Sequence, residues 1–246
     1  VASVKVISLE RSTERRRAFA SGNPGLDHEF FPGVDGRSIP DAILHDRRLF
    51  IDPLPAMSPG ARGCALSHLK LWEMAIRLNR PISIAEDDAL FRRDFATASA
   101  RVLAKLPADW DFILWGWNFD SILSVHALPN VAPIVMVSNQ DSLRKNAELY
   151  LEQTTESFPL RLDKCFGTPA YTISPGGASK FRAACFPLTE MNVWFPLLNR
   201  MINNRGIDIA MNKIYSETNS FVAFPPLAIT RNEHEASTVL VRPDPI

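Results

Sequence analysis

The chain has 246 residues, 46% of them hydrophobic, and its 27 Lys+Arg balance 27 Asp+Glu to a formal net charge of zero. That composition supplies a sizeable core for one large or two small domains and excludes a disordered chain. A neutral balance also excludes bulk attraction to nucleic acid or to an anionic membrane, so any anion must be bound locally.

Residues 4–9 read as a first strand, and Ser12 can cap a helix over 13–21 that Gly22-Asn23-Pro24-Gly25 ends. Residues 28–34 look like a second strand, followed by the turn Asp35-Gly36 and a loop rich in proline and charge up to Pro59. Ser58-Pro59 signals a helix start. From there Ala61, Ala65, Leu69, Trp72 and Ile76 recur as a helical stripe. The apolar run 82–85 has the length of a buried strand and stops abruptly at Glu86-Asp87-Asp88. A helix over 94–105 and a buried strand over 111–116 follow.

Residues 118–164 read as a loop-rich insertion holding a strand-like 134–137 and a helical 142–154. Next come a strand over 167–174, a helix from Ser174-Pro175 to Cys185, and a helix over 191–204. Gly206-Ile207-Asp208 begins another helix, and 221–224 is the last expected strand. Alternating strands and helices imply an α/β fold: a Rossmann-type, mainly parallel sheet with helices on both faces. The expected layout is a single domain, with a first half (1–117), a variable insertion (118–164) and a second half (165–246). Ligands of such sheets sit at the carboxyl ends of strands, where Leu9 and the acid triplet both fall.

The triplet is the strongest chemical signal. Three adjacent carboxylates at a buried strand end repel one another and lose hydration, a cost that a divalent cation removes. In an extended segment Glu86 and Asp88 face one side and Asp87 the other. Two carboxylates on one side suit a hard cation, Mg²⁺ or Mn²⁺, which keeps positions open for substrate phosphates. That points to a nucleotide-diphosphate substrate. Against it stands the plain reading of the same acids as a solvated loop start.

Arg11, Arg15, Arg16 and Arg17 form a basic patch after the first strand. Arg15 or Arg16 is the candidate for phosphate, which a guanidinium grips with a fork of N–H groups. The others fit a solvated helix face. Gly60 and Gly63 weaken the helix they open and fit a close backbone approach to a ligand. His68 borders the apolar stripe, where it serves either as a ligand contact or as a hydrogen-bonded core histidine. Asp208 near a helix start is either a cap or a general base. His234 and Glu233 lie in a polar tail, and Cys64 reads as a small buried side chain. The three cysteines, Cys64, Cys165 and Cys185, are distant and odd in number, which excludes a zinc or disulfide framework and fits a reducing, cytosolic setting. No stretch approaches the ~20 apolar residues of a membrane span. The strand-like opening leaves no room for a signal peptide.

Four blocks in order resemble glycosyltransferase family 25, the lipooligosaccharide galactosyltransferase group. They are Val6-Ile-Ser-Leu-Glu-Arg-Ser-Thr-Glu-Arg-Arg16, Gly63-Cys-Ala-Leu-Ser-His-Leu-Lys-Leu-Trp72, Ile84-Ala-Glu-Asp-Asp88 and Gly167-Thr-Pro-Ala-Tyr-Thr-Ile-Ser174, with Gly206-Ile-Asp208 as a weaker fifth. The resemblance implies a GT-A fold and transfer, with inversion, of galactose or glucose from UDP-galactose or UDP-glucose. The implied acceptor is an oligosaccharide or lipid-linked glycan of lipopolysaccharide synthesis, handled in the cytoplasm by peripheral association with the inner face of the membrane. It places Ser8, Leu9, Arg15, Ser67, His68 and Asp87 on the donor side and the metal, Mn²⁺ or Mg²⁺, at Glu86 and Asp88. Inversion needs a base for the acceptor hydroxyl; Asp208 is the first candidate and Glu190 the second. Residues 118–164 and 186–205 match no block, so the acceptor is decided there. Two further readings stand beside this one: a catalytically silent interaction protein with the same fold, and a metal-dependent phosphoryl-transfer enzyme.

Overall fold

Strand β1 (Val4–Ser8) buries every second residue, Val4, Val6 and Ser8, the period of a pleated strand. It pairs in parallel with β2 (His28–Pro32) on one side and β3 (Ile82–Glu86) on the other. Helix α1 (Thr13–Gly22) joins β1 to β2 and buries Phe19. Ser12 stands at its N-cap position without a side-chain capping bond. β2 ends at Pro32, short of the expected residue 34; it is the edge of the sheet, where a missing N–H is tolerated. The computed structural model describes residues 3–51, 57–119, 121–128, 131–195 and 198–230; His234 and Glu233 lie outside them.

After a short 3₁₀ turn at Gly36–Ser38 and helix α2 (Asp41–Leu44) comes the long α3 (Pro59–Leu78). The Ser58 hydroxyl caps α3 by accepting from Ala61 N at 3.1 Å, and Pro59 takes the position where no N–H is needed. α3 ends on Asn79 in the left-handed region, φ 46°. β3 is followed by β4 (Ala89–Phe91), α4 (Phe95–Leu103) and β5 (Phe112–Gly116). The rest of the chain adds β6 (Ile122–Leu128), β7 (Ala132–Val137), α5 (Gln140–Lys145), α6 (Ala147–Leu151), β8 (Phe158–Cys165) and β9 (Ala170–Ile173). Then come α7 (Pro175–Cys185), β10 (Asn192–Phe195), β11 (Arg200–Asn203), α8 (Ile207–Met211), β12 (Ser220–Phe224) and β13 (Ala228–Thr230).

Among the described residues the main sheet runs β2-β1-β3-β9-β5-β12-β8-β6-β7. β2, β1 and β3 are parallel, as are β5 and β12; β9 runs antiparallel between the two groups, and β8, β6 and β7 continue by antiparallel pairing. Six of the nine strands therefore point the same way. β5 is buried throughout, and its alternate residues enter two different cores. Phe112 and Leu114 pack with Trp72 of α3 and Phe181 of α7, whereas Ile113 and Trp115 pack with Phe19 of α1 and Phe95 of α4. Helices thus cover both faces, as the strand–helix alternation predicts, and β3 and β5 sit fully inside.

Three expectations are corrected. Residues 118–164 are not a loop-rich insertion: β6, β7 and β8 extend the main sheet through β12. The signal was weak because β8 carries Arg161, Asp163 and Lys164 and the edge strand β7 is only half covered. The helix expected over 191–204 is a β10–β11 hairpin, in which Val193 and Phe195 are buried while Asn192 and Trp194 are exposed, a period of two rather than 3.6. A strand also follows 221–224: β13 has three residues, too few to show a period, and pairs with β4.

Candidate active site

The carboxyl ends of β1 and β3 lie side by side, with Ile7 opposite Glu86. Glu86 closes β3, and Asp87-Asp88 form a turn into β4, so the extended alternation expected across the triplet stops at Glu86. Each acid meets different partners.

Asp87 is held tightly. Ser8, at the end of β1, donates its hydroxyl to Asp87 Oδ2 at 2.7 Å, and Arg15 Nε donates to Oδ1 at 2.8 Å with a second bond from Nη2. Arg15 Nη2 also comes within 4.0 Å of Asp88. Arg15 therefore enters the site as the partner of the carboxylates. Arg16 donates to the Ser8 carbonyl at 3.0 Å and lies over Phe30, while Arg11 pairs with Asp35. Arg17 is exposed. Leu9 follows β1 beside Gly33, half-buried.

Glu86 and Asp88 are the strained pair. Loss of hydration pushes Glu86 well above the usual carboxylate range, and the charges of Asp88, Asp208 and Asp87 push it further, against the pull of Arg15. Asp88 is also raised, mainly by burial; Arg15 and the Thr230 hydroxyl of β13 oppose the shift. Its side chain is 44% exposed, so its tip meets solvent while its surroundings are dense protein. Two carboxyls whose ionised forms are disfavoured in this way suit a hard divalent cation, which would stabilise them ionised.

Asp208 joins them from the other half of the chain. It sits in the first turn of α8, and its Oδ2 accepts from Gly167 N at 3.0 Å. Burial raises its carboxyl, and its charge in turn raises Glu86 and Cys64. Gly167 has φ +74°, a conformation that favours glycine, and a Cβ there would strike Asn118. Two residues later the Pro169 carbonyl accepts from Glu86 N at 2.9 Å. The segment 167–169 thus ties the base candidate to the end of β3. Glu190, the second base candidate, is exposed, and no hydrogen bond or ion pair among the described residues links it to the triplet.

α3 supplies the remaining wall. The Ser67 hydroxyl accepts from Val34 N at 2.8 Å and donates to the Gly63 carbonyl at 2.8 Å, which ties the loop after β2 to the helix. Gly63 is where that loop presses on α3: a Cβ would lie 2.4 Å from the Val34 carbonyl oxygen. The close approach expected at this glycine is made by protein backbone. His68 is fully buried; its Nδ1 lies 2.7 Å from the Tyr171 hydroxyl, and its Nε2 lies 4.0 Å from Glu86 Oε1. Burial lowers its pKa to about 4, so the ring is neutral. Cys64 brings its sulfur within 4.8 Å of donor atoms of His68 and Glu86. Burial and four nearby acids raise its thiol well above the ordinary value, so it stays protonated and is no nucleophile.

Of the sequence candidates, the fold brings Ser8, Arg15, the triplet, His68 and Asp208 together around the carboxyl ends of β1 and β3, and it does not join Glu190 to them by any bond among the described residues. Sequence reasoning did not single out for function Thr230, Tyr171 and Trp72, which contact Asp88, His68 and Tyr171 respectively. Trp72 reads as part of the apolar stripe of α3 and Tyr171 only as one residue of an expected strand, and the meeting of β9 with α3 brings their polar atoms together.

The profile of the family described as Glycosyltransferase family 25 (LPS biosynthesis protein) matches residues 2–193. A Glycosyltransferase 25 family member from Aedes aegypti is 37% identical over 128 residues, 47% of this chain and 21% of that protein. A mouse protein named Inactive glycosyltransferase 25 family member 3 is 29% identical over 146 residues, 52% of this chain and 24% of its own length. A Putative glycosyltransferase of Haemophilus influenzae is 36% identical over 91 residues, 34% of this chain and 31% of that protein. The matched part of the chain thus spans about a fifth to a third of the length of these relatives.

Proposed function

Because the chain belongs to glycosyltransferase family 25, we propose that it transfers a hexose, galactose or glucose, from a UDP-sugar to a glycan acceptor with inversion, using Mn²⁺ or Mg²⁺. The observation that carries this reading is the meeting of acidic charge at Glu86, at the carboxyl end of β3, which feels the charges of Asp88, Asp208 and Asp87, with each of Glu86, Asp88 and Asp208 raised above its ordinary value.

Glu86 and Asp88 hold the cation, which when bound offsets the negative charge that builds on a departing diphosphate. Asp87 is fixed by Ser8 and Arg15; Arg15 takes both acceptor sites of Oδ1, and Oδ2, which accepts from Ser8, keeps a second lone pair for a ribose hydroxyl. Asp208 takes the proton of the acceptor hydroxyl. Its carboxyl, raised by burial, is a better proton acceptor than an ordinary one, and the Gly167 N–H fixes its direction. Residues around the β10–β11 hairpin, whose buried face packs on Ile209 of α8, shape the acceptor side. The acceptor class is a surface glycan of the lipopolysaccharide or lipooligosaccharide type. Three free cysteines fit a reducing, cytoplasmic compartment. No helix among the described residues is long and apolar enough to cross a membrane, and the chain works at the inner face by peripheral association.

A screen of UDP-hexoses with and without Mn²⁺, reading UDP release by mass spectrometry, tests the reading. Release of UDP that chelation abolishes supports it. Release of inorganic phosphate instead would make the chain a phosphoryl-transfer enzyme. A second reading, a silent protein of the same fold, has the likeness to the mouse protein named inactive in its favour. Tight UDP binding with neither transfer nor hydrolysis would establish that one.

A further inference from the structure

Trp72, Tyr171 and His68 form a fully buried polar row behind Glu86. Trp72 Nε1 donates to the Tyr171 hydroxyl oxygen at 2.8 Å, and that oxygen lies 2.7 Å from His68 Nδ1. An indole N–H only donates, so the Tyr171 oxygen is the acceptor in the first bond. Its own hydrogen then needs an acceptor, and among the described residues His68 Nδ1 is the partner in reach. A neutral imidazole that accepts at Nδ1 carries its proton on Nε2. Nε2 is buried without a hydrogen-bond partner and faces Glu86 Oε1 at 4.0 Å. The other tautomer fails at both ends. It strands the Tyr171 hydrogen in the core, and, with Glu86 ionised as a cation ligand must be, it aims the bare Nε2 lone pair at a carboxylate oxygen.

We propose that Tyr171 and Trp72 fix His68 as its Nε2–H tautomer and that this N–H is the donor that positions Glu86. A movement of about 1 Å brings the pair to hydrogen-bond length. His68 then orients the carboxylate as a neutral group, adding no positive charge that would repel a cation. Tyr171 acts through His68 and is a positioning residue. The Cys64–His68–Glu86 group is accordingly not a soft-metal site, because Nε2 has no lone pair in the ring plane to offer. Glu86 as a cation ligand rests on the function proposed above; the tautomer does not.

Imidazole ¹⁵N NMR of histidine-labelled protein at neutral pH, with His68 assigned through His68→Gln, reads the tautomer directly. The expected result is a protonated Nε2 and a bare, hydrogen-bond-accepting Nδ1. Tyr171→Phe, which keeps the ring and removes the hydroxyl, shifts Nδ1 and mixes the tautomers. A protonated Nδ1 in the parent, or a His68 spectrum unchanged by Tyr171→Phe, overturns the proposal. Glu86→Ala should speed exchange of the Nε2 proton; an unaltered exchange rate overturns the link to Glu86. Calorimetry of Mn²⁺-stimulated UDP binding supplies the functional arm. Tyr171→Phe should weaken it about 10–100-fold, the usual reach of a group that orients a metal ligand. Glutamine keeps a donor where Nε2 stood and needs no relay, so His68→Gln should lose less than His68→Ala, and Tyr171→Phe added to it should cost little more. Equal losses from Tyr171→Phe in the parent and in His68→Gln overturn the relay. Absence of any Mn²⁺ effect in the parent overturns the cation reading alone, and the spectrum still decides the tautomer. A bound Co²⁺ with a thiolate absorption that Cys64→Ser removes overturns the proposal.

Discussion

Arg15→Ala tests how much the acid triplet depends on its clamp. The substitution removes the Nε bond to Asp87 Oδ1 at 2.8 Å and the Nη2 bond beside it, leaving Asp87 with the Ser8 hydroxyl at 2.7 Å. Asp87 is 9% exposed, so its charge would lose a partner in a place that water reaches poorly. Breaking a buried pair costs about 3–5 kcal/mol. Arg15 is itself 31% exposed, and water entering the space it leaves replaces part of its effect, which reduces the expected loss to about 2–3 kcal/mol. At about 2–4 °C per kcal/mol for a chain of this size, the melting temperature should fall by about 4–12 °C. Adding Asp87→Asn removes the orphaned charge and should restore at least half of that fall, while donor binding stays weak because the turn no longer holds its ribose-side carboxylate. Calorimetric melting of parent, single and double variants, with UDP titrations of each, measures both effects. A single variant melting within about 2 °C of the parent, less than 1 kcal/mol by the same conversion, would refute the clamp. So would a double variant no more stable than the single one.

Asp88→Asn should abolish the Mn²⁺ stimulation of UDP binding and leave the melting curve near that of the parent, since it removes one hard oxygen ligand from a small set; equal stimulation in both proteins would sink the cation assignment. Asp208→Asn keeps the size and the Gly167 bond but loses the proton acceptor, so UDP affinity should hold while transfer slows by about 10²–10⁴-fold. Glu190→Gln, on an exposed residue with no hydrogen bond or ion pair to the triplet among the described residues, should stay within a few-fold of parent, and the reverse pattern would move the base to Glu190. The pH profile follows in sign. A base works ionised and burial raises Asp208, so transfer should fall as pH drops through a value above the usual ~3.9 of aspartate; a limb at or below that value contradicts the assignment. Gly63→Ala puts a Cβ 2.4 Å from the Val34 carbonyl oxygen, and backbone cannot yield as a flexible side chain does. The expected loss is about 1–3 kcal/mol, read as a lower urea midpoint, and an unchanged midpoint would show that the loop after β2 gives way freely.

Much of this protein is written locally in its sequence. The stripe from Ala61 to Ile76, with Ser58-Pro59 before it, fixes α3, because capping and a 3.6-residue period depend on near neighbours alone. The buried run 82–85 followed by three acids fixes both a strand end and a chemical demand for positive charge. Ser8, Arg15 and Asp208 were legible as candidates, since their residue types stand where strands end or helices begin. Pairing was not. β9 runs antiparallel between β3 and β5, and a strand buried on both faces shows no alternation that would reveal its direction. Residues 191–204 became a hairpin because Val193 and Phe195 find Ile209 and Ile122 to cover them, a choice that lies in distant chain. The partners were tertiary too. Arg15 could equally have gripped a phosphate or faced solvent until the fold set Asp87 beside it, 72 residues along the chain. His68 reads as any histidine beside an apolar stripe, and its tautomer follows from a hydroxyl 103 residues away. Local sequence determines which elements form and which groups carry charge. Only the packed sheet decides which of those charges meet, because hydrogen bonds and desolvation act through space over a few ångströms, whatever the separation along the chain.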